Sequence, residues 1–176
     1  MESSEKIKIL VIDDEEETRL LLKKSLERQG YCVMTAAEGE EGLEKIKEHD
    51  IEIIFCDIVM PGLNGIDFLK KVRHCNLAAQ VIMMTGRASL DSCVEAVEYG
   101  ACGYLIKPLE AKDLIDMVLV AERNIDEEKE ILKKVISKLN PEQINDVLKH
   151  VSRGTKDVDQ KRNIIKKTLK KPDDKV

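Results

Sequence analysis

Two aspartates, Asp13 and Asp14, follow the apolar run ILVI, and a third, Asp57, follows IIFC. Three carboxylates at the ends of short apolar segments repel one another, and hard oxygen ligands of this kind favour Mg²⁺ as the compensating cation. Aspartate also caps helices that follow strands, so the acids alone leave two readings open. Thr85 and Lys107 extend the set: Thr85 closes VIMMT and Lys107 follows YLI. A metal, a hydroxyl and an ammonium around one carboxylate suit a phosphoryl group, whose equatorial oxygens need neutralising charge and hydrogen-bond donors. A carboxylate with a reference pKa of about 3.9 is ionised at neutral pH and attacks phosphorus without a general base.

These residues meet only if the segments before them are parallel strands of one sheet. Short β-branched runs predict strands at Ile7–Ile12, Tyr31–Ala36, Ile51–Cys56, Gln80–Met84 and Gly103–Ile106. Helical periodicity between them predicts helices at about Glu16–Gln29, Glu38–Glu48, Asn64–His74 and Ser89–Glu98. That alternation is the pattern of repeated βα units around a parallel sheet. The near-continuous apolar runs KIKILVI, IEIIFC and QVIMM predict strands covered on both faces, in the middle of the sheet. In such sheets ligand chemistry collects at the carboxyl edge, where the loops open.

Four segments in order, VIDDEE, CDIVMPGLNGIDFL, VIMMTG and YLIKPL, resemble the receiver domains of two-component response regulators, over Lys6 to about Leu119. The resemblance implies a flavodoxin-like, doubly wound five-stranded sheet of order 2-1-3-4-5. It implies that Asp57 accepts a phosphoryl group from a histidine kinase or phosphotransfer protein. Mg²⁺ would be held by the Asp14 and Asp57 side chains and the Val59 main-chain carbonyl, with Asp13 acting through water. Lys107 would pair with the phosphoryl oxygens, Thr85 would move to bond one of them, and Tyr104 would turn inward in response. Pro108 matches a cis X-Pro bond that aims the lysine. Pro61, Gly62 and Gly65 would shape the loop after the phosphoacceptor, one fixing φ and two opening backbone conformations closed to other residues. Aspartyl-nucleophile phosphohydrolases instead carry a second Asp two positions after the nucleophile, where this chain has Val59. Val59 and Arg87 border the path of an attacking water in this family, and Val59 cannot orient one, so slow self-dephosphorylation is expected.

Beyond Pro108 a long helix is predicted from about Ala111 to about Leu139. Its apolar positions Leu114, Val118, Ala121, Ile125, Leu132, Val135 and Leu139 step alternately by four and three, with Glu128 interrupting the seam. The expectation is a homodimer paired along this helix, with Ile125, Leu132, Val135 and Leu139 exposed in a lone chain. The domain reading is a receiver at 1–122, a helix continuation with coiled-coil character at 123–139, and a short basic helical tail at 140–176. Residues 1–139 hold 19 Lys and Arg against 28 Asp and Glu, whereas residues 140–176 hold 10 against 6. The tail includes KRNIIKKTLKK, which invites an alternative: a DNA-binding transcription regulator using the basic C-terminal helices. Nucleic-acid binding is less favoured, because aromatics make up only 3% of the chain and no helix-turn-helix frame is visible.

The 176 residues support one core with a small appendage. With no apolar run long enough to span a bilayer and no secretory signal pattern, a cytoplasmic protein is expected. Five cysteines without a C-x-x-C spacing predict reduced, mostly buried thiols rather than a disulfide frame or zinc site.

Overall fold

Residues 6–75 and 78–138 are described by a computed structural model. The β-branched runs become five strands, β1 (Lys8–Ile12), β2 (Cys32–Ala36), β3 (Ile53–Asp57), β4 (Gln80–Thr85) and β5 (Gly103–Ile106). The periodic stretches become α1 (Glu16–Arg28), α2 (Gly39–Glu48), α3 (Gly65–Cys75), α4 (Leu90–Glu98) and α5 (Ala111–Ile136). Every strand pairing is parallel and the order is β2-β1-β3-β4-β5, the doubly wound flavodoxin-like sheet. As their apolar runs require, β1, β3 and β4 lie in the middle, and every residue of β3 and β4 is buried.

Alternate strand side chains point to opposite faces, so each central strand feeds two cores. Leu10, Ile12, Ile54 and Met83 pack with Ile46 of α2, Phe68 and Val72 of α3 and Ala96 of α4. On the other face Ile9, Val11, Phe55 and Met84 pack with Leu22 and Leu26 of α1 and with Leu114, Val118, Ala121 and Ile125 of α5. The chain steps outward from β1 to β2 and then returns to β3, so the loops after β1 and β3 diverge at the carboxyl edge.

Two expectations need correction. Ile125 is only 7% exposed: it continues the stripe that seats α5 on its own sheet, so the seam expected to be free begins beyond it. The thiols are less buried than their apolar neighbourhoods suggested, since Cys56 is buried but Cys93 and Cys102 are half-buried and Cys32 is exposed on the edge strand β2. The helix itself ends at Ile136, with Ser137 and Lys138 in a turn. The chain divides into two units after Ile125. Leu139 and the predicted helices of 140–176 fall outside the described residues.

Candidate phosphoryl-handling site

Strand register brings the chemical residues together. Ile12 pairs with Cys56, so Asp13 and Asp57, one step further on, arrive side by side. Met84 pairs with Asp57 and Ile106 with Thr85, which sets Thr85 beside the aspartate and Lys107 just past the end of β5. One carboxylate oxygen from each of Asp13, Asp14 and Asp57 lies within 4.8 Å of the other two. Asp13 is fully buried, Asp57 is 4% exposed and Asp14 opens to solvent.

Lys107 is the shared counter-ion. Its Nζ sits 2.8 Å from Asp13 Oδ2 and donates a hydrogen bond to Asp57 Oδ2. The other oxygens are held by main chain: the Val59 N–H donates to Asp57 Oδ1 at 3.1 Å and the Glu15 N–H to Asp13 Oδ1 at 3.0 Å. Burial pushes the Asp13 carboxyl above the ordinary carboxylate range, more than Lys107 and the Glu15 N–H pull it down. For Lys107 burial works against the charge, but the paired carboxylates of Asp13 and Asp57 outweigh it and hold the ammonium above its ordinary range. Next to the site, burial and the neighbouring aspartates push the Cys56 thiol well up, so it stays protonated.

The charge balance asks for another cation. Like charges about 5 Å apart repel by roughly 3 kcal/mol at an effective dielectric of about 20, and three carboxylates share one lysine. Asp13 Oδ2, though beside Lys107, receives no well-directed hydrogen bond. An all-oxygen, net-negative pocket with one solvent-facing member fits a hard divalent ion such as Mg²⁺.

The loops are shaped to hold this set. Lys107–Pro108 is cis. Gly62 takes φ +73°, a left-handed conformation that side chains disfavour, in the loop that Pro61 enters. At Gly65 a Cβ would fall 2.7 Å from the Ile58 Cα and closer still to the Asp57 carbonyl oxygen, so the start of α3 touches the backbone of Asp57 itself. Thr85 is buried and its Oγ1 accepts from the Arg87 N–H at 3.0 Å. Tyr104 is half-buried, and its hydroxyl meets Ser92 Oγ of α4 at 2.9 Å. Val59 is 52% exposed and Arg87 is exposed, at the rim.

Two participants were not foreseen. The Arg19 Nη1 donates to the Asp13 carbonyl oxygen at 2.6 Å, tying α1 to the turn that carries the acids; nothing in the spacing of an arginine six residues on signals this. Ser92 completes a capping box with Ser89, and the S-x-x-S pattern at 89 and 92 was a readable sign of the cap, though not of Tyr104.

Comparison with known proteins agrees with the geometry. A family model described as response regulator receiver domain matches residues 9–119. Among curated proteins, the transcriptional regulatory protein ZraR of Klebsiella oxytoca is 40% identical over 108 residues, 61% of this chain and 24% of that protein. The alkaline phosphatase synthesis transcriptional regulatory protein PhoP of Bacillus subtilis is 38% identical over 107 residues, 61% of this chain and 45% of that protein. The match thus spans under half the length of either relative. Among solved structures, a CheY-like receiver domain from Methanospirillum hungatei superposes with TM-score 0.66 at 32% identity, covering 72% of this chain and 98% of that one. A receiver domain from Clostridium thermocellum gives TM-score 0.64 at 35% identity, covering 71% and 98%.

Proposed function

The chain belongs to the response regulator receiver domain family, and on that premise we propose that Asp57 is the phosphoacceptor of a two-component signalling pathway. The observation that carries the proposal is the pairing of a nearly buried Asp57 with Lys107 at the edge where β1 and β3 diverge. The donor is a histidine kinase or phosphotransfer protein. An Asp57 oxygen attacks the phosphorus of phosphohistidine; the new O–P bond forms as the P–N bond breaks, and the imidazole leaves with its electron pair. The Val59 N–H holds one Asp57 oxygen in place during the approach. Lys107, already bonded to Asp57, offsets charge on the incoming phosphoryl oxygens, and the Thr85 hydroxyl supplies a donor to them. Mg²⁺, held by Asp14, Asp57 and the Val59 carbonyl with Asp13 behind them, would supply further charge neutralisation when bound. Val59 has no polar side-chain group to orient water, which favours slow self-dephosphorylation. The protein is accordingly a signalling switch whose only chemistry is on itself. Tyr104 and the loop of Thr85 pass the change of state to a downstream protein.

We place this switch in the cytoplasm; no helix among the described residues is long and apolar enough to cross a membrane. We further propose that it forms a homodimer through residues 126–139, the part of the heptad seam beyond Ile125. A second reading, transcription regulation through DNA contacts of the basic residues 140–176, is favoured by the curated relatives, which are transcriptional regulators. Filter binding with and without phosphorylation, at stated salt, separates the two.

The test is uptake of an acid-labile phosphoryl group from acetyl phosphate. Wild type should take up one equivalent in a Mg²⁺-dependent reaction, Asp57→Asn none, and Asp14→Ala should lose the metal dependence. Stoichiometric uptake by Asp57→Asn would overturn the assignment.

A further inference from the structure

Helix α4 is weakly seated. Ala96 is its only buried residue, while Leu90 and Val97 are 79% and 65% exposed, so side-chain packing contributes little to holding it. Its first turn is fixed instead by hydrogen bonds. The Ser92 N–H donates to Ser89 Oγ at 3.1 Å, and the Ser89 N–H donates to Ser92 Oγ at 3.3 Å. The cap also reaches out of the helix, because Ser92 Oγ lies 2.9 Å from the hydroxyl of Tyr104 on β5.

Proton counting makes that contact consequential. A serine hydroxyl has one proton and two lone pairs. Ser92 Oγ accepts from the Ser89 N–H and lies 3.1 Å from the Ser89 carbonyl oxygen, a contact whose proton only Ser92 can supply, beside the helical hydrogen bond that the same carbonyl accepts from the Cys93 N–H. One lone pair remains, and two hydroxyls reach for it, those of Ser89 and Tyr104, each at 2.9 Å. If Tyr104 accepts instead, Ser92 must withdraw its proton from the Ser89 carbonyl. In either arrangement the ring hydroxyl and the α4 cap draw on the same groups, and neither can be rearranged without the other.

We infer that Ser92 is the positioning residue for Tyr104, and that its hydroxyl joins the first turn of α4 to β5, the strand that delivers Lys107. The joint stands on this geometry; only its use in signalling rests on the function proposed above.

Amide hydrogen exchange on the full chain tests it, with the first-turn amides of α4, Ser92 and Cys93, as the readout. Tyr104→Phe keeps the ring and both cap serines and removes only the hydroxyl. It should speed exchange at those amides roughly fivefold, the factor one net hydrogen bond commands, and leave α3 and α5 unchanged. Ser92→Ala should accelerate them at least as much, and Tyr104→Phe should then add nothing. Ser92→Thr, which restores a hydroxyl, should bring back the Tyr104 dependence. An unchanged rate in Tyr104→Phe, or fully additive effects in the double variant, would overturn the inference. Asp57 labelling by acetyl phosphate, measured in the same samples, separates the two claims. Its absence in wild type would defeat the phosphoacceptor reading and leave the joint standing, whereas normal labelling without an α4 response would defeat the joint alone.

Discussion

Lys107 faces two carboxylates at once, and its removal sets a test at the scale of one residue. Asp13 is fully buried, and the Lys107 side chain is 17% exposed. Breaking a fully buried pair costs about 3–5 kcal/mol, and partial solvation of the lysine brings this to about 1–3 kcal/mol. Lys107→Met should therefore unfold at lower urea without metal, and should gain more stability from Mg²⁺ than wild type does, because a competing cation is gone. Equal urea midpoints would contradict the counter-ion role. A second test is pH dependence. Burial first, and the Glu122 carboxylate second, push the Tyr31 hydroxyl from 10.0 up to about 12. A group raised in the folded state stabilises fully below its unfolded value, and that contribution is lost as pH rises through the folded value. The stability of wild type relative to Tyr31→Phe should thus be constant from neutral pH to about 10 and fall as pH rises from there through about 12, as followed by urea unfolding. A flat difference across that window would contradict the contact. Asp13, Asp14, Asp57, Thr85 and Lys107 were legible in sequence because strand ends are legible, and parallel strands deliver their ends to one edge. Arg19 and the Tyr104–Ser92 contact were not, because each joins side chains whose meeting depends on how a helix packs on the sheet.

At the scale of elements, α3 begins against the backbone of the residue whose chemistry matters most. A methyl at position 65 would overlap Ile58 and Asp57 main chain, neither of which can yield as a side-chain tip does. Overpacking of this kind costs about 1–3 kcal/mol. Gly65→Ala should lower the melting temperature and also slow phosphoryl uptake, since relief of the clash moves Asp57 itself. Gly86→Ala is the control, because a Cβ there meets nothing within 4 Å. Equal effects from both substitutions would remove the steric account. The same scale explains why Ile125 was expected to be exposed and is not. Over Leu114, Val118, Ala121 and Ile125, spacings of four and three serve a coiled coil and a helix lying on its own sheet equally well. The 3.5 and 3.6 periods separate only over longer runs. The structure assigns that stripe to the sheet.

For the whole molecule, what remains of the seam sets the strength of any pairing. Of its described residues, Val135 is 50% exposed and Leu132 is half-buried, and Ile131, which lies outside the seam spacing, adds a neighbouring apolar side chain that is 62% exposed. Fully burying such a side chain contributes roughly 1.5–3 kcal/mol, and association costs about 4–15 kcal/mol before any gain appears. Three residues per chain offset that cost only narrowly, so the dimer should be weak. Light scattering should show a mass rising with concentration through tens of micromolar, and Leu132→Asp with Leu139→Asp should abolish the rise. A concentration-independent monomer mass, phosphorylated or not, would refute the dimer. Whether Asp57 alone accepts the phosphoryl group is read from the bond itself. Borohydride reduces an aspartyl phosphate to homoserine, and peptide mass mapping after treatment with acetyl phosphate and Mg²⁺ locates the converted residue. Homoserine at position 57 and at no other aspartate is the predicted result; conversion at Asp13 or Asp14, or none while phosphoryl label is retained, would contradict it.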